Sequence, residues 1–169
     1  YTLLTQWRAL VDGATLAERL GDFGASAWYR RQAEFLAKNL ALFWNEEKGQ
    51  LDVSLHFAEG VPYKHSGLDI AVILGVLHAS TEDFFPARDP RVQATFGRLV
   101  NSFAALYYIN RRDTHLGPAL GRYPEDKYAG NSFDGGNPWV LATLAGAEYE
   151  YRLAEEFYGL GRKYISLAR

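Results

Sequence analysis

Apolar residues recur at steps of three and four along most of this chain, and that spacing limits the fold more than any other feature. It gathers a stripe on one side of an α-helix, whereas a half-buried strand needs strict alternation. Leu4, Trp7, Val11, Ala14 and Ala17 form such a stripe within residues 2–21, with Gly21 as a stop. Ser26 can cap a second helix carrying Tyr29, Ala33, Leu36, Leu40 and Phe43, with Arg30, Arg31, Glu34 and Lys38 on its solvated face. Residues 68–79 are apolar on almost every side, as in a helix buried between others. Asp89-Pro90 is a strong helix start, because the aspartate caps and proline misses no donor in the first turn. Val92, Phe96, Leu99, Phe103 and Leu106 then form its buried stripe. Asn137-Pro138 reads as the same device, followed by Val140, Leu144, Ala147, Tyr151, Ala154 and Tyr158, and a short final helix runs from Leu160. Leu51 to Phe57 alternates like a short strand. Five main helices and almost no sheet make the chain all-α, with no fixed-period repeat to suggest a solenoid.

The 169 residues fit one domain or part of a larger one, and 48% hydrophobic content is enough to bury a core, which excludes overall disorder. A net charge of −2 argues against nucleic acid, which calls for a basic face. The longest apolar run, Ile70 to Leu77, is too short to span a bilayer. Absence of cysteine excludes disulfides and thiolate chemistry. There is no methionine, even at the first position, which suggests a processed, cut or excerpted chain. His56, His65, His78 and His115 lack metal-ligand spacing, so no metal or other cofactor is expected, and His78 on an apolar helix reads as a core residue. Gly135-Gly136 lacks the Lys-Ser/Thr of a phosphate loop, and no Gly-x-Ser-x-Gly elbow exists. The run from Glu148 to Glu156 reads as a charged outer face, and no Asn-x-Ser/Thr acceptor speaks for secretion.

The anomaly is Asn110 to Gly136, a stretch too long for a structureless connection unless it is functional. It contains Leu120-Gly121-Arg122-Tyr123-Pro124-Glu125-Asp126-Lys127-Tyr128 and ends at Gly135-Gly136-Asn137-Pro138-Trp139. Gly-Arg-Tyr-Pro-Glu-Asp, then a tyrosine, then Gly-Asn-Pro-Trp opening a helix, resembles the glucoamylases of glycoside hydrolase family 15. The run Val140 to Glu148 is similar too, as is Trp7-Arg-Ala-Leu-Val-Asp-Gly13 in the first helix. Phe43-Trp44, Leu68-Asp69 and Leu74-Gly75-Val76-Leu77-His78 fall between them in the expected order. The resemblance runs to about Tyr151, and the hexapeptide with Asn-Pro-Trp is its most specific part.

The resemblance implies part of an α/α-barrel with long loops at one end, so that residues 1–169 form one segment of a catalytic domain. It implies release of glucose from α-1,4-glucan ends, on starch or malto-oligosaccharides, with inversion. Secretion or vacuolar delivery follows from the resemblance alone. Inversion needs an acid and a base roughly 6.5–9.5 Å apart with a water between. By family register both glutamates fall outside this chain, one just before residue 2 and one beyond 158. Trp44-Asn45-Glu46-Glu47 matches an ordinary helix end, so no catalytic glutamate is carried onto it. Arg122 matches an arginine that hydrogen-bonds sugar hydroxyls, a task suited to a fixed fork of donors; a structural ion pair with Asp126 is the alternative. Asp126 reads as the group that holds Arg122 or a loop amide. Trp139 and Tyr128 match aromatic pocket residues, on which sugar C–H faces pack, although Trp139 could simply fill core. Tyr123 and Glu125 read mainly as structural.

Two rivals stand beside this reading. A self-contained hydrolase would use Glu125 and Asp126, but adjacent residues in one loop seldom face a substrate from opposite sides. A non-catalytic helical carbohydrate-binding or scaffold module would use the aromatic loop for binding without turnover. In the leading reading the partners are the α-glucan and the remainder of the catalytic domain.

Overall fold

The computed structural model describes residues 1–55, 62–112, 115–132 and 135–167, the last six of them as backbone only. Its first helix, α1 (Thr2–Arg19), buries Leu4, Trp7, Ala14 and Ala17 of the expected stripe, with Val11 partly buried against the core. Trp7 stacks on Phe84 at 4.1 Å between ring centroids. Burying a side chain such as Leu4 stabilises the fold by roughly 1.5–3 kcal/mol. Gly21 takes a left-handed backbone (φ +82°) and turns the chain back.

Helix α2 (Phe23–Ala41) packs along α1 and starts earlier than Ser26 would have it. Asp22 is the cap, accepting from the Ala25 N–H at 2.9 Å, while Ser26 is buried inside the helix. The turn at Gly21 brings the Asp22 carboxylate into capping position first, and the helix is already under way at Ser26. Ala33 and Leu40 are buried.

The expected strand at Leu51 to Phe57 shrinks to its first residue. Strand β1 (Trp44–Asn45) pairs antiparallel with β2 (Gln50–Leu51), Trp44 opposite Leu51. Glu46 and Glu47 occupy the turn between them. Asp52 then goes inward, accepting from Asn45 Nδ2 at 2.8 Å and Gln50 Nε2 at 2.7 Å, and the Val53 N–H crosses to Gly67 O at 2.9 Å. The buried carboxylate draws the chain off the strand path. His56 and Phe57 lie outside the described residues.

Helix α3 (Ala71–Ala79) is the centre of the core, with Ile73 fully buried, and it lies against α1 and the last helix. His78 is not a core residue: it is exposed, with Nδ1 at 3.2 Å from the Tyr1 hydroxyl. Helix α4 (Pro90–Leu106) begins as expected, its Asp89 cap accepting from the Arg91 N–H at 2.8 Å. Val92, Phe96, Leu99 and Phe103 are buried, but Leu106 is exposed because the chain leaves the helix at Tyr107. Thr95 accepts from the Leu51 N–H at 2.8 Å and so fixes the hairpin to α4. A single turn, α5 (Ile109–Arg112), follows.

Helix α6 (Val140–Leu167) departs from expectation three times. It starts at Val140, because the Asn137 side-chain amide donates to Pro138 O at 3.1 Å and caps nothing. It does not break at Leu160. It also buries the other face: Ala142, Ala145 and Tyr149 are inside, while Val140, Leu144, Tyr151 and Tyr158 are exposed. Small residues explain the choice. A Cβ on Gly146 would sit 2.6 Å from Leu120 Cδ1 and 3.4 Å from Phe96, so only this side can approach that closely. Glu156 adds a polar anchor, accepting from the backbone N–H of Ala87 and of Arg88 at 3.0 and 2.9 Å. Among the described residues no helix is long and apolar enough to cross a membrane.

Candidate functional site

The stretch after α5 is ordered by backbone bonds to the helices beneath it. The Asn110 side chain brackets Ala119, donating to its carbonyl at 3.0 Å and accepting from its N–H at 2.8 Å. Leu120 N–H donates to Thr143 Oγ1 at 3.0 Å, and Leu120 O accepts from the Trp139 N–H at 2.8 Å. Arg122 O accepts from the Ile70 N–H at 2.8 Å, which ties the loop to the start of α3. Tyr107 stands under the loop, stacked on Phe103 at 5.3 Å, its hydroxyl donating to Asn137 O at 3.2 Å. Its phenol is pushed up to about 12, first by burial and then by the Asp126 charge. A Cβ on Gly121 would lie 2.0 Å from that hydroxyl, so glycine is required there.

Arg122 and Asp126 form a two-pronged pair, Nε to Oδ2 at 2.6 Å and Nη2 to Oδ1 at 2.7 Å. The aspartate side chain is 2% exposed and the arginine 36%. Asp126 Oδ1 also accepts from the Tyr128 N–H at 3.0 Å. Both prongs use one edge of the guanidinium. The two Nη1 hydrogens and one on Nη2 are left over for other partners. Arg122 Cζ lies over the Trp139 ring at 4.7 Å from its centroid, with the Tyr123 ring at 5.5 Å and the Tyr128 ring at 5.6 Å. A cation over aromatic faces gains roughly 0.5–2 kcal/mol and is further fixed in place. Tyr128 and Trp139 are neighbours, their rings tilted by 47° with centroids 6.2 Å apart.

The five residues singled out from sequence, Arg122, Tyr123, Asp126, Tyr128 and Trp139, therefore form one cluster. Trp139 is half-buried and packs against the core, and its Nε1 is buried with no hydrogen-bond partner among the described residues, as is Asn137 Oδ1. Gly136 passes behind the cluster at φ +66°, where a Cβ would sit 2.2 Å from Asp126 O. The cluster also draws in Lys64, Ser66 and Asp69, which no local pattern announces. Lys64 Nζ lies 3.9 Å from the Tyr123 ring centroid and 2.6 Å from Asp69 Oδ2. Glu125 accepts from the Ser66 N–H and hydroxyl at 2.6 and 3.0 Å. For Lys64, Ser66 and Asp69 the only sequence signal is the order of Leu68-Asp69 before the loop, whereas Glu125 lies within the hexapeptide itself.

The electrostatics give an acid limit. Burial alone would push the Asp126 carboxyl up, but the bonds from Arg122 and Tyr128 and the charges of Arg122 and Lys64 outweigh it and hold it below its ordinary value. A carboxyl depressed on folding adds stability above its unfolded pKa of about 3.9, and that stability is lost as pH falls through the folded value. Asp89, also depressed, acts in the same window. We expect the melting temperature of the full-length protein to fall below about pH 4, and Asp126→Asn to flatten part of that fall. An unchanged acid slope in Asp126→Asn would remove Asp126 from the account.

Known proteins resemble this chain over nearly its whole length. The family model described as Glycosyl hydrolases family 15 matches residues 1–167. The chain is 36% identical over 168 residues to "Glucoamylase 1" of Rhizopus oryzae, covering 98% of this chain and 28% of the relative. It is 36% identical over 172 residues to "Glucoamylase" of Blastobotrys adeninivorans, covering 98% and 27%. Among solved structures, the glucoamylase from Saccharomycopsis fibuligera superposes with a TM-score of 0.82 at 27% identity, covering 90% of this chain and 32% of that one. The chain thus spans under a third of the length of these relatives. Its helices are part of an α/α-barrel.

Proposed function

The chain belongs to family 15 of the glycosyl hydrolases, and we propose that it is one segment of a catalytic domain that releases glucose from the non-reducing ends of α-1,4-glucans with inversion. This segment supplies substrate-binding loops. The observation that carries the reading is Arg122, held on one edge by Asp126 and laid over Trp139, so that its other edge is fixed for paired hydroxyls. Tyr128 and Tyr123 add aromatic walls for the C–H faces of a glucosyl ring. The exposed stripe of Val140, Leu144, Tyr151 and Tyr158 docks on the remainder of the domain. The compartment is secreted or vacuolar, a reading supported by family resemblance alone.

The test is the product of the full-length protein on maltotriose, followed by NMR from the first turnover. Inversion at an α-linkage yields β-glucose first, which mutarotates later. Glucose appearing first as the α-anomer would overturn inversion. No glucose at all, with maltotriose still bound, would favour a non-catalytic binding module.

A further inference from the structure

We propose that Glu125 is a positioning residue for substrate: by clamping Ser66 it sets the segment 64–70 as a wall beside Arg122. The proposal rests on the glucan-hydrolysing reading above. Glu125 is nearly buried, its side chain 12% exposed, and both of its oxygens are engaged by Ser66 across 59 positions of sequence. Ser66 is gripped from the opposite side as well. Its carbonyl accepts from Gln50 Nε2 at 2.7 Å, and Gln50 is fully buried with its Oε1 accepting from Arg98 Nε at 2.8 Å. The next residue has no slack: Gly67 is left-handed (φ +78°), and a Cβ there would lie 2.1 Å from Asp52 Oδ1.

What this clamp holds is functional geometry. Two positions before Ser66 is Lys64, whose ammonium covers Tyr123 on the ring that Arg122 also adjoins. Three positions after it is Asp69, the partner of Lys64 at 2.6 Å. Ile70 then donates to Arg122 O at 2.8 Å. Releasing Glu125 frees Ser66 on the site side only, so Lys64 and the support under Arg122 move while Gln50 keeps the rest in place. A misplacement of about 1 Å at a positioning element can cost about a hundredfold in rate.

The experiment measures kcat, KM and melting temperature on maltotriose for the full-length protein and its variants. Glu125→Ala is expected to lower kcat/KM by roughly tenfold to a hundredfold. Glu125→Gln recovers most of it, because the amide oxygen can still accept from the Ser66 N–H and the amide nitrogen can donate to its hydroxyl. Combined with Arg122→Lys, the loss is smaller than the product of the single losses, since both changes disturb one contact. Should Glu125→Ala not fold, Ser66→Ala carries the test: it removes the hydroxyl that donates to Glu125 at 3.0 Å and accepts from the Leu68 N–H at 3.2 Å, and a loss of about threefold to tenfold is expected. Wild-type kcat/KM in a folded Glu125→Ala or Ser66→Ala protein overturns the proposal, and so does a strictly multiplicative cycle. Failure of the functional reading looks different: the unsubstituted protein itself then releases no glucose.

Discussion

Replacing Arg122 with alanine in the full-length protein should lower kcat/KM on maltotriose by about one to two orders of magnitude. Charged hydrogen bonds are worth roughly 1.5–3 kcal/mol, and ~1.4 kcal/mol is a factor of ten. Part of that energy is realised only as the sugar ring distorts towards the transition state. Stability also falls, because Asp126 is left buried, its side chain 2% exposed, without its main partner. Breaking a fully buried pair costs roughly 3–5 kcal/mol. Arg122 is one-third exposed, so water takes over part of its role and only a fraction of that applies. Arg122→Lys separates the two effects. A lysine still offers Asp126 a positive charge and recovers much of the melting temperature. It cannot copy the fork that grips Asp126 on one edge and hydroxyls on the other, so kcat/KM recovers little. Near-normal kcat/KM in a well-folded Arg122→Ala protein would end the substrate-contact role and leave Arg122 as an ion pair only.

The helices and the cluster were legible to different depths, for physical reasons. Where one face of a helix was clearly more apolar, as in Leu4, Trp7, Ala14 and Ala17, periodicity pointed to the buried side. The last helix carries two usable stripes, and hydrophobicity favours the one that is exposed in this segment. What decided it was the absence of bulk at Gly146 beside Ala142 and Ala145, which lets Leu120 and Phe96 come close. A small-residue stripe is a packing signal that a search for large apolar residues passes over. Caps were ambiguous in the same way. Asp22 and Ser26 both suit an N-cap, and the turn at Gly21 chose between them. Asn137-Pro138 has the right residues, yet Asn137 is committed to the loop. Within the loop, Arg122 to Trp139 could be grouped because they are close in sequence. Lys64, Ser66 and Asp69 could not, since they reach the cluster through the packing of α3. Glu125 thus read as structural when its partner was still unknown.

The same partners yield the largest expected effect: this chain, purified alone, should release no glucose from α-glucans. An inverting mechanism needs one carboxyl that carries a proton to the leaving oxygen and one carboxylate free to accept a proton from water. Asp126 fails as the acid, because Arg122 and the Tyr128 N–H hold its pKa down. It fails as the base too, because both oxygens already accept bonds. Glu125 spends both oxygens on Ser66. Asp69 spends its own on Lys64 and the Ala71 N–H. Among the described residues, each carboxylate of the cluster is therefore part of the scaffold that aims Arg122, and none of these three is left for proton transfer. General acid and base help are worth roughly 10²–10⁴ each, so losing both removes on the order of 10⁴–10⁸ in rate. The comparison is glucose release from maltotriose by the isolated chain and by the full-length protein at equal concentration. Turnover by the isolated chain within about a hundredfold of the full-length rate, less than the loss of both groups allows, would mean that a carboxylate of this cluster does chemistry after all. Melting and circular dichroism of the isolated chain accompany the assay, so that an unfolded sample is not mistaken for an inactive one.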